Sequence, residues 1–268
     1  MTLRERLTAD GWFSDEREMT AFVMAGRVLA DGRPVHSLSE KVGADAEIRV
    51  REYYKTKYAG KGGLKLEHAL TAFAVAVSGK TTLDCGASTG GFTDCLLAFG
   101  AGLVYAVDVG AGQLAGKLAL DPRVVNMERV NLSDGALTRL DPKPELITLD
   151  LSYLSLRGAL PVAAEILAPG GEVVALVKPL FETESPEARR LGKIDDGEYR
   201  KILTGLCAFA ETAGFAALGA THSPVTGNSG TVEFFLHLRL GGGLSLVTDA
   251  DADAAVAAGL ALGRFSKG

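Results

Sequence analysis

The chain has 268 residues, of which 47% are hydrophobic and 23% charged, with a formal net charge of −5. That length suits one catalytic domain with one small appendage, and the composition excludes a disordered chain. The acidic balance excludes a uniformly basic surface, so any RNA-facing patch must be local.

In chain order, Leu3–Asp10 and Asp15–Ala25 read as helices. Ser14 stands where an N-cap belongs, Asp15, Glu16 and Glu18 follow in the first turn, and Gly26 supplies the stop. Short strand-like pieces come around Arg27–Leu29 and Glu47–Arg51, separated by glycines and polar turns. The run Ala25-Gly26-Arg27-Val28-Leu29-Ala30-Asp31-Gly32-Arg33-Pro34-Val35, then Val42 and Asp45 to Val50, resembles the S4 RNA-binding fold. The resemblance implies a small α+β domain over residues 1–57 whose helices and sheet dock on structured ribosomal RNA. Asp15 stands where that family usually has arginine, and Met1–Lys57 carries ten Lys/Arg against ten Asp/Glu.

The linker Tyr53-Tyr54-Lys55-Thr56-Lys57-Tyr58 interleaves rings with lysines, which suits base stacking or a solvated interdomain strand equally. From Thr81 the pattern alternates strand and helix. Strands are predicted at Thr81–Asp84, Leu103–Asp108, Val124–Met127, Leu146–Asp150, Glu172–Lys178, Ala216–His222 and Thr231–Leu240. Helices are predicted at Gly91–Phe99, Leu156–Leu167 and Gly197–Ala213. Apolar runs such as Leu146–Leu149 and Val173–Val177 predict a mostly parallel, doubly wound sheet covered on both faces. After Leu240, Gly241-Gly242-Gly243 reads as a hinge and Ala252–Ala261 as an Ala-rich helix in a tail over 241–268.

Cys85, Cys95 and Cys207 lack a CxxC spacing, which points to buried thiols rather than a disulfide framework, and no His/Cys cluster suggests a metal. Met1–Arg6 shows no apolar leader, and no segment reaches the roughly 18 apolar residues of a membrane span, so a cytoplasmic location without a membrane partner is expected.

The clearest local motif is Leu83-Asp84-Cys85-Gly86-Ala87-Ser88-Thr89-Gly90-Gly91-Phe92-Thr93, a strand, a glycine-rich turn and a helix start. Such a turn lets a ligand approach the backbone closely. Ser88 occupies the middle glycine place of a dinucleotide fingerprint, which weakens a nicotinamide reading. Asp108 closes the next strand, where a carboxylate accepts both ribose hydroxyls of an adenosine cofactor. That feature alone does not separate NAD from S-adenosyl-L-methionine. A sulfonium amino acid needs no pyrophosphate cradle, so Asp84 and the turn amides of Gly86–Gly90 suit its ammonium and carboxylate, and Asn131 after the third strand stands where side chains edge an adenine; Gly91, Phe92, Thr93, Val109 and Asp150 complete the candidate cofactor-binding set.

Lys65, Asp150, Lys178 and Glu233 each fall at a predicted element end. In a doubly wound sheet the ligand crevice lies beyond the carboxyl ends of the parallel strands, where Asp150 and Lys178 stand. If the last strand runs antiparallel beside the fifth, Glu233 returns to the same edge. Singly, each has a structural explanation as a surface lysine, a strand-end ion pair or an edge glutamate; together they make a reaction centre. Methyl transfer to a hydroxyl needs a base, alignment with the sulfonium and help for the developing alkoxide. On this reading Lys178 is the base, Lys65 steadies the oxyanion, and Asp150 and Glu233 orient the lysines. Proximity of two amines favours a neutral one.

In order, Gly62-Gly63-Leu64-Lys65-Leu66, Gly86 to Asp94, Tyr105-Ala106-Val107-Asp108-Val109-Gly110, Leu149-Asp150-Leu151-Ser152 and Val177-Lys178-Pro179-Leu180-Phe181-Glu182 resemble the hemolysin-A-type (TlyA) proteins, as do Ser223-Pro224 and Glu233-Phe234. That family joins an S4 domain to an FtsJ-like methyltransferase domain, here 58–240. The resemblance implies a seven-stranded Rossmann-like fold, S-adenosyl-L-methionine as cofactor, and 2′-O-ribose methylation of ribosomal RNA by a Lys-Asp-Lys-Glu tetrad at Lys65, Asp150, Lys178 and Glu233. Gly60-Lys61 stands where the family commonly has Ser-Arg, and the tail falls outside the match. Besides ribosomal RNA or a ribosomal subunit as substrate, the acidic balance admits a small-molecule O-methyltransferase on the same scaffold. A third reading, a non-catalytic RNA-binding or hemolysin-like protein, leaves the tetrad and cofactor turn without a use.

Overall fold

The computed structural model describes residues 1–13, 16–24, 26–50, 57–227 and 231–265. The expected cap Ser14 with Asp15, linker residues 53–56 and Gly230 lie outside them. The chain divides into two units, Met1–Thr56 and Lys57–Gly268.

In the first unit, α1 (Leu3–Ala9) is started by a reciprocal cap in which the Thr2 hydroxyl accepts the Glu5 amide and the Glu5 carboxylate accepts the Thr2 amide. Helix α2 (Glu16–Met24) is followed by Gly26 at φ +66°. Strands β1 (Val28–Ala30), β2 (Arg33–Val35) and β3 (Ile48–Val50) form an antiparallel sheet in the order β2-β1-β3. Leu3, Leu7, Val23, Val28 and Val35 are its core. Strand β2 was not among the expected elements: three residues with two exposed carry too little apolar alternation to be seen.

The second unit begins with α3 (Lys61–Ala72), which runs through Gly62 and Gly63 despite their poor helix propensity. Contacts decide this: a Cβ on Gly63 would overlap the Tyr58 ring, and one on Gly62 would lie 3.1 Å from Phe92. There follow β4 (Thr81–Cys85), α4 (Gly91–Ala98), β5 (Leu103–Asp108), α5 (Gly116–Ala119), β6 (Val124–Glu128), β7 (Leu146–Leu149), α6 (Leu156–Ile166) and β8 (Glu172–Val177). Two short helices, α7 (Pro179–Glu182) and α8 (Pro186–Leu191), precede α9 (Asp196–Thr212), β9 (Phe215–His222), β10 (Phe234–Leu240) and α10 (Asp249–Phe265).

The seven strands are ordered β6-β5-β4-β7-β8-β10-β9. The first five are parallel, and β10 inserts antiparallel between β8 and β9. This is a doubly wound, Rossmann-like α/β fold, and the predicted antiparallel return beside the fifth strand is present. β10 starts at Phe234 rather than Thr231, because the Thr231 carbonyl is tied back to the Gly227 amide at 2.8 Å. Pleat alternation buries both faces: Phe235 packs with Leu66, Leu70, Leu96 and Val104, while Phe234 packs with Leu160, Leu203 and Val177. Fully burying a phenylalanine or leucine contributes roughly 1.5–3 kcal/mol.

The tail is part of this core. Leu246 donates its amide to Ala217 of β9 at 2.7 Å, and Ala252, Ala255 and Val256 of α10 are buried. The three cysteines are free and buried. Among the described residues no helix is long and apolar enough to cross a membrane.

Candidate functional site

The carboxyl ends of β4, β5, β7 and β8 open onto a cavity of about 430 Å³. At its floor β4 turns sharply at Gly86, whose φ is +88°. A Cβ there would overlap the carbonyl oxygen of Asp150 and lie 3.0 Å from its carbon. Glycine is therefore required by the neighbouring strand end before any ligand is considered. The turn is held by the amides of Gly86 and Ala87 donating to the Val107 carbonyl at 2.9 and 3.1 Å, and by the Asp150 amide donating to Cys85 at 2.9 Å.

Ser88 follows at φ +47° and donates its amide to Asp108 Oδ2 at 2.8 Å. The Gly110 amide donates to Asp108 Oδ1 at 2.7 Å. Two backbone donors thus aim this carboxylate at the cavity rim, and each oxygen keeps a further lone pair for a ribose hydroxyl. Gly86, Ser88, Asp108 and Val109 all line the cavity. Ala87, Thr89 and Gly90 complete the turn without lining it; Thr89 accepts the Ala115 amide through its carbonyl, and Gly90, at φ +94°, caps α4.

Five more of the expected cofactor contacts do not line the cavity: Asp84, Gly91, Phe92, Thr93 and Asn131. Asp84 does not face the cavity: the strand pleat turns it toward α4 and gives the cavity Cys85 instead. Its fully buried carboxylate accepts the hydroxyls of Thr93 at 2.7 Å and Thr148 at 3.1 Å. Burial pushes its pKa up to about 7, against those hydrogen bonds. Thr93 is thereby occupied as well. Phe92 is buried against Phe235, ring centroids 6.2 Å apart. Gly91 packs its backbone on α3, where a Cβ would lie 3.0 Å from the Gly63 nitrogen. Asn131 uses its carbonyl oxygen for the Ser133 amide and hydroxyl at 3.1 and 3.0 Å, and its neighbours Val130 and Leu132 line the cavity in its place.

Lys65, Asp150, Lys178 and Glu233 all line the same cavity. Asp150 directly follows β7, Lys178 directly follows β8, and Glu233 directly precedes β10. Lys65 sits inside α3 rather than at an element end; the glycine-lined approach of α3 to α4 lets it reach in. Lys65 Nζ is 2.5 Å from Glu233 Oε2, and Lys178 Nζ is 2.6 Å from Asp150 Oδ1 and 2.8 Å from Ser152 Oγ. Burial raises the Glu233 pKa; Lys65 opposes that rise, and Asp150 and Lys178 act on the same carboxyl. The four charges are one coupled group. Gly227 makes room for it, since a Cβ there would lie 2.7 Å from the Glu233 carboxyl carbon.

Several lining residues escaped the sequence reading. Tyr153 is 45% exposed and covers the cavity beside Asp108, and its hydroxyl meets Asn131 Oδ1 at 3.4 Å. Its only sequence signal was its place three residues after Asp150. Gln113 and Gly227 come from loops with no periodicity to mark them. A second cavity of about 610 Å³ lies beyond the lysines and shares Ser152, Lys178 and Glu233 with the first. Its far wall is apolar, from Leu180, Phe181, Ile194 and Val232, with Lys193 among them.

Against known proteins, residues 58–240 match the model of the family described as FtsJ-like methyltransferase. The chain is 41% identical over 219 residues to "Putative rRNA methyltransferase YqxC" of Bacillus subtilis, covering 81% of this chain and 78% of that protein. It is 36% identical over 244 residues to "16S/23S rRNA (cytidine-2'-O)-methyltransferase TlyA" of Mycobacterium tuberculosis, covering 89% and 91%. The solved structure "Putative hemolysin from Streptococcus thermophilus" superposes with a TM-score of 0.77 at 35% identity, covering 100% of this chain and 98% of that one.

Proposed function

The chain belongs to the FtsJ-like methyltransferase family, and on that premise we propose that it methylates ribose 2′-hydroxyls of ribosomal RNA with Lys65, Asp150, Lys178 and Glu233 as the reacting group. It is an S-adenosylmethionine-dependent methyltransferase. The observation that carries the reading is that all four charges line the cavity built on the glycine turn, and two of them, Lys178 and Glu233, also line the second cavity, which is open to an acceptor.

The site fits the donor. Gly86 presents bare backbone, Asp108 is preset by two amides to take ribose hydroxyls, and Val109, Val130 and Leu132 supply apolar walls for an adenine. S-adenosylmethionine, when bound, supplies a methyl group on a cationic sulfur. A nucleotide in the second cavity presents its 2′-hydroxyl at Lys178. Lys178 Nζ is the base that takes the proton of that hydroxyl. Asp150 and Ser152 hold the Lys178 amine on line. Lys65, fixed by Glu233, faces the oxygen as negative charge develops. The acceptor nucleobase lies against the Leu180–Phe181 wall. On this reading the small N-terminal unit is an S4-like module that holds the RNA, and the enzyme works in the cytoplasm with the ribosome.

The test incubates the enzyme with labelled S-adenosylmethionine and purified ribosomal subunits, in parallel with a small-metabolite extract. Label on a ribose of ribosomal RNA is expected. Label confined to metabolites would replace the substrate with a small molecule, the reading that the net charge of −5 favours.

A further inference from the structure

The C-terminal segment lies beyond the family match, which ends at residue 240, yet it packs behind the reaction group. Helix α10 presents Ala252, Ala255, Val256 and Gly259 on one face, at the spacing of a single helical stripe, and all four are buried. A Cβ on Gly259 would lie 2.7 Å from Val232 Cγ1, 3.2 Å from Phe234 Cε1 and 3.5 Å from the His222 Cβ. At Gly259 the helix backbone thus lies against these side chains with no room for a methyl group. Val232 and Phe234 flank Glu233 in sequence, and the pleat sends their side chains to the α10 face while Glu233 turns to Lys65 on α3. The residue bearing the carboxylate is thus gripped from behind through both of its neighbours.

We infer that α10 is a positioning element for methyl transfer: the contact of Gly259 with Val232 and Phe234 holds Glu233, and through it Lys65, in register with the acceptor. The inference rests on the role given to Glu233 above. Nothing in the contact touches the glycine turn or Asp108, so donor affinity is independent of it. Alanine at Gly259 meets Val232 whatever α10 does, so a helix that merely covered the sheet would lose stability and keep its rate once folded. The positioning role requires that the folded variant also lose kcat. The added methyl must push Val232 and Phe234 away from α10, and a displacement of even a fraction of an ångström at a reacting group costs rate.

The experiment measures kcat on ribosomal subunits, the dissociation constant of S-adenosylmethionine, and Tm for Gly259→Ala, Val232→Ala, the double variant and Glu233→Ala. Gly259→Ala is expected to lower kcat about tenfold with donor affinity unchanged. The double variant, in which the lost valine methyls make room for the new one, is expected to recover most of that rate. Val232→Ala alone cannot clash and is expected to lower kcat severalfold, so it carries the test if Gly259→Ala fails to fold; because Val232 also walls the second cavity, KM for the subunits is read beside kcat, and a raised KM with kcat unchanged overturns the inference. Unchanged kcat in the foldable single variants overturns the inference, as does a parallel loss of donor affinity without recovery in the double variant. Glu233→Ala separates the two claims. If it keeps full kcat, the role of Glu233 has failed; if it loses kcat while the α10 variants do not, only the role of α10 has.

Discussion

Gly86→Ala tests whether the glycine turn is set by the protein's own geometry. At φ +88° an alanine costs about 1–2 kcal/mol of backbone strain. In a unit of this size that corresponds to a fall in Tm of about 2–8 °C. Its Cβ also overlaps the Asp150 carbonyl oxygen, so strand end and turn must separate by about 1 Å, a misplacement that costs on the order of 100-fold in rate. The displaced residue is the one that holds Lys178 at 2.6 Å. Gly79→Ala is the control, because Gly79 has φ +77° with nothing within 4 Å of its Cβ and carries the backbone cost alone. Calorimetry gives the two Tm values, and labelled methyl transfer to ribosomal subunits gives the two rates. Equal rates for the two variants would refute the argument that contact with Asp150 dictates this glycine.

Three further outcomes follow from the site. Lys178→Ala is expected to lose about 100- to 10,000-fold in kcat with donor affinity intact, as measured by single-turnover transfer and calorimetric titration; full transfer activity would remove its role as base. Phe181→Ala is expected to raise KM for the RNA acceptor about tenfold without changing donor binding, the size of a lost stacking contact; an unchanged KM would place the acceptor base elsewhere. Asp84 is buried with its pKa raised from 3.8 to about 7, so between those values the folded protein keeps a proton that the unfolded chain has released. The stability contribution is whole below about pH 4 and is lost as pH rises through about 7, by a few kcal/mol in order of magnitude. Asp84→Asn mimics the protonated form and is expected to flatten that decline in urea titrations run from pH 4 to 8; an unaltered slope would show that Asp84 does not hold the proton.

Much of the architecture could be read along the chain, because parallel strands covered on both faces are continuous apolar runs and the helices between them carry their own periodicity. The glycine turn, Asp108 at the next strand end, and the strand-end positions of Asp150 and Lys178 are local facts of sequence. Which side chain of a strand end meets the cavity is not local. It depends on which face of the pleat carries the crevice, and there Asp84 exchanged places with Cys85. Asn131 likewise looked available because its partners, Ser133 and Tyr153, arrive from a turn and a distant loop. Helix α3 ran against propensity through two glycines that only the neighbouring Tyr58 and Phe92 explain. The grouping of Lys65 with Glu233 spans 168 residues of chain and was decided by β10 inserting beside β8. The apparent tail became a buried helix because its alanines and Gly259 fit a face of β9 and β10 that no sequence window contains. Periodicity and turn chemistry act over a few residues and were settled by the amino-acid order itself; pairing, facing and burial act across the fold and belonged to the tertiary structure.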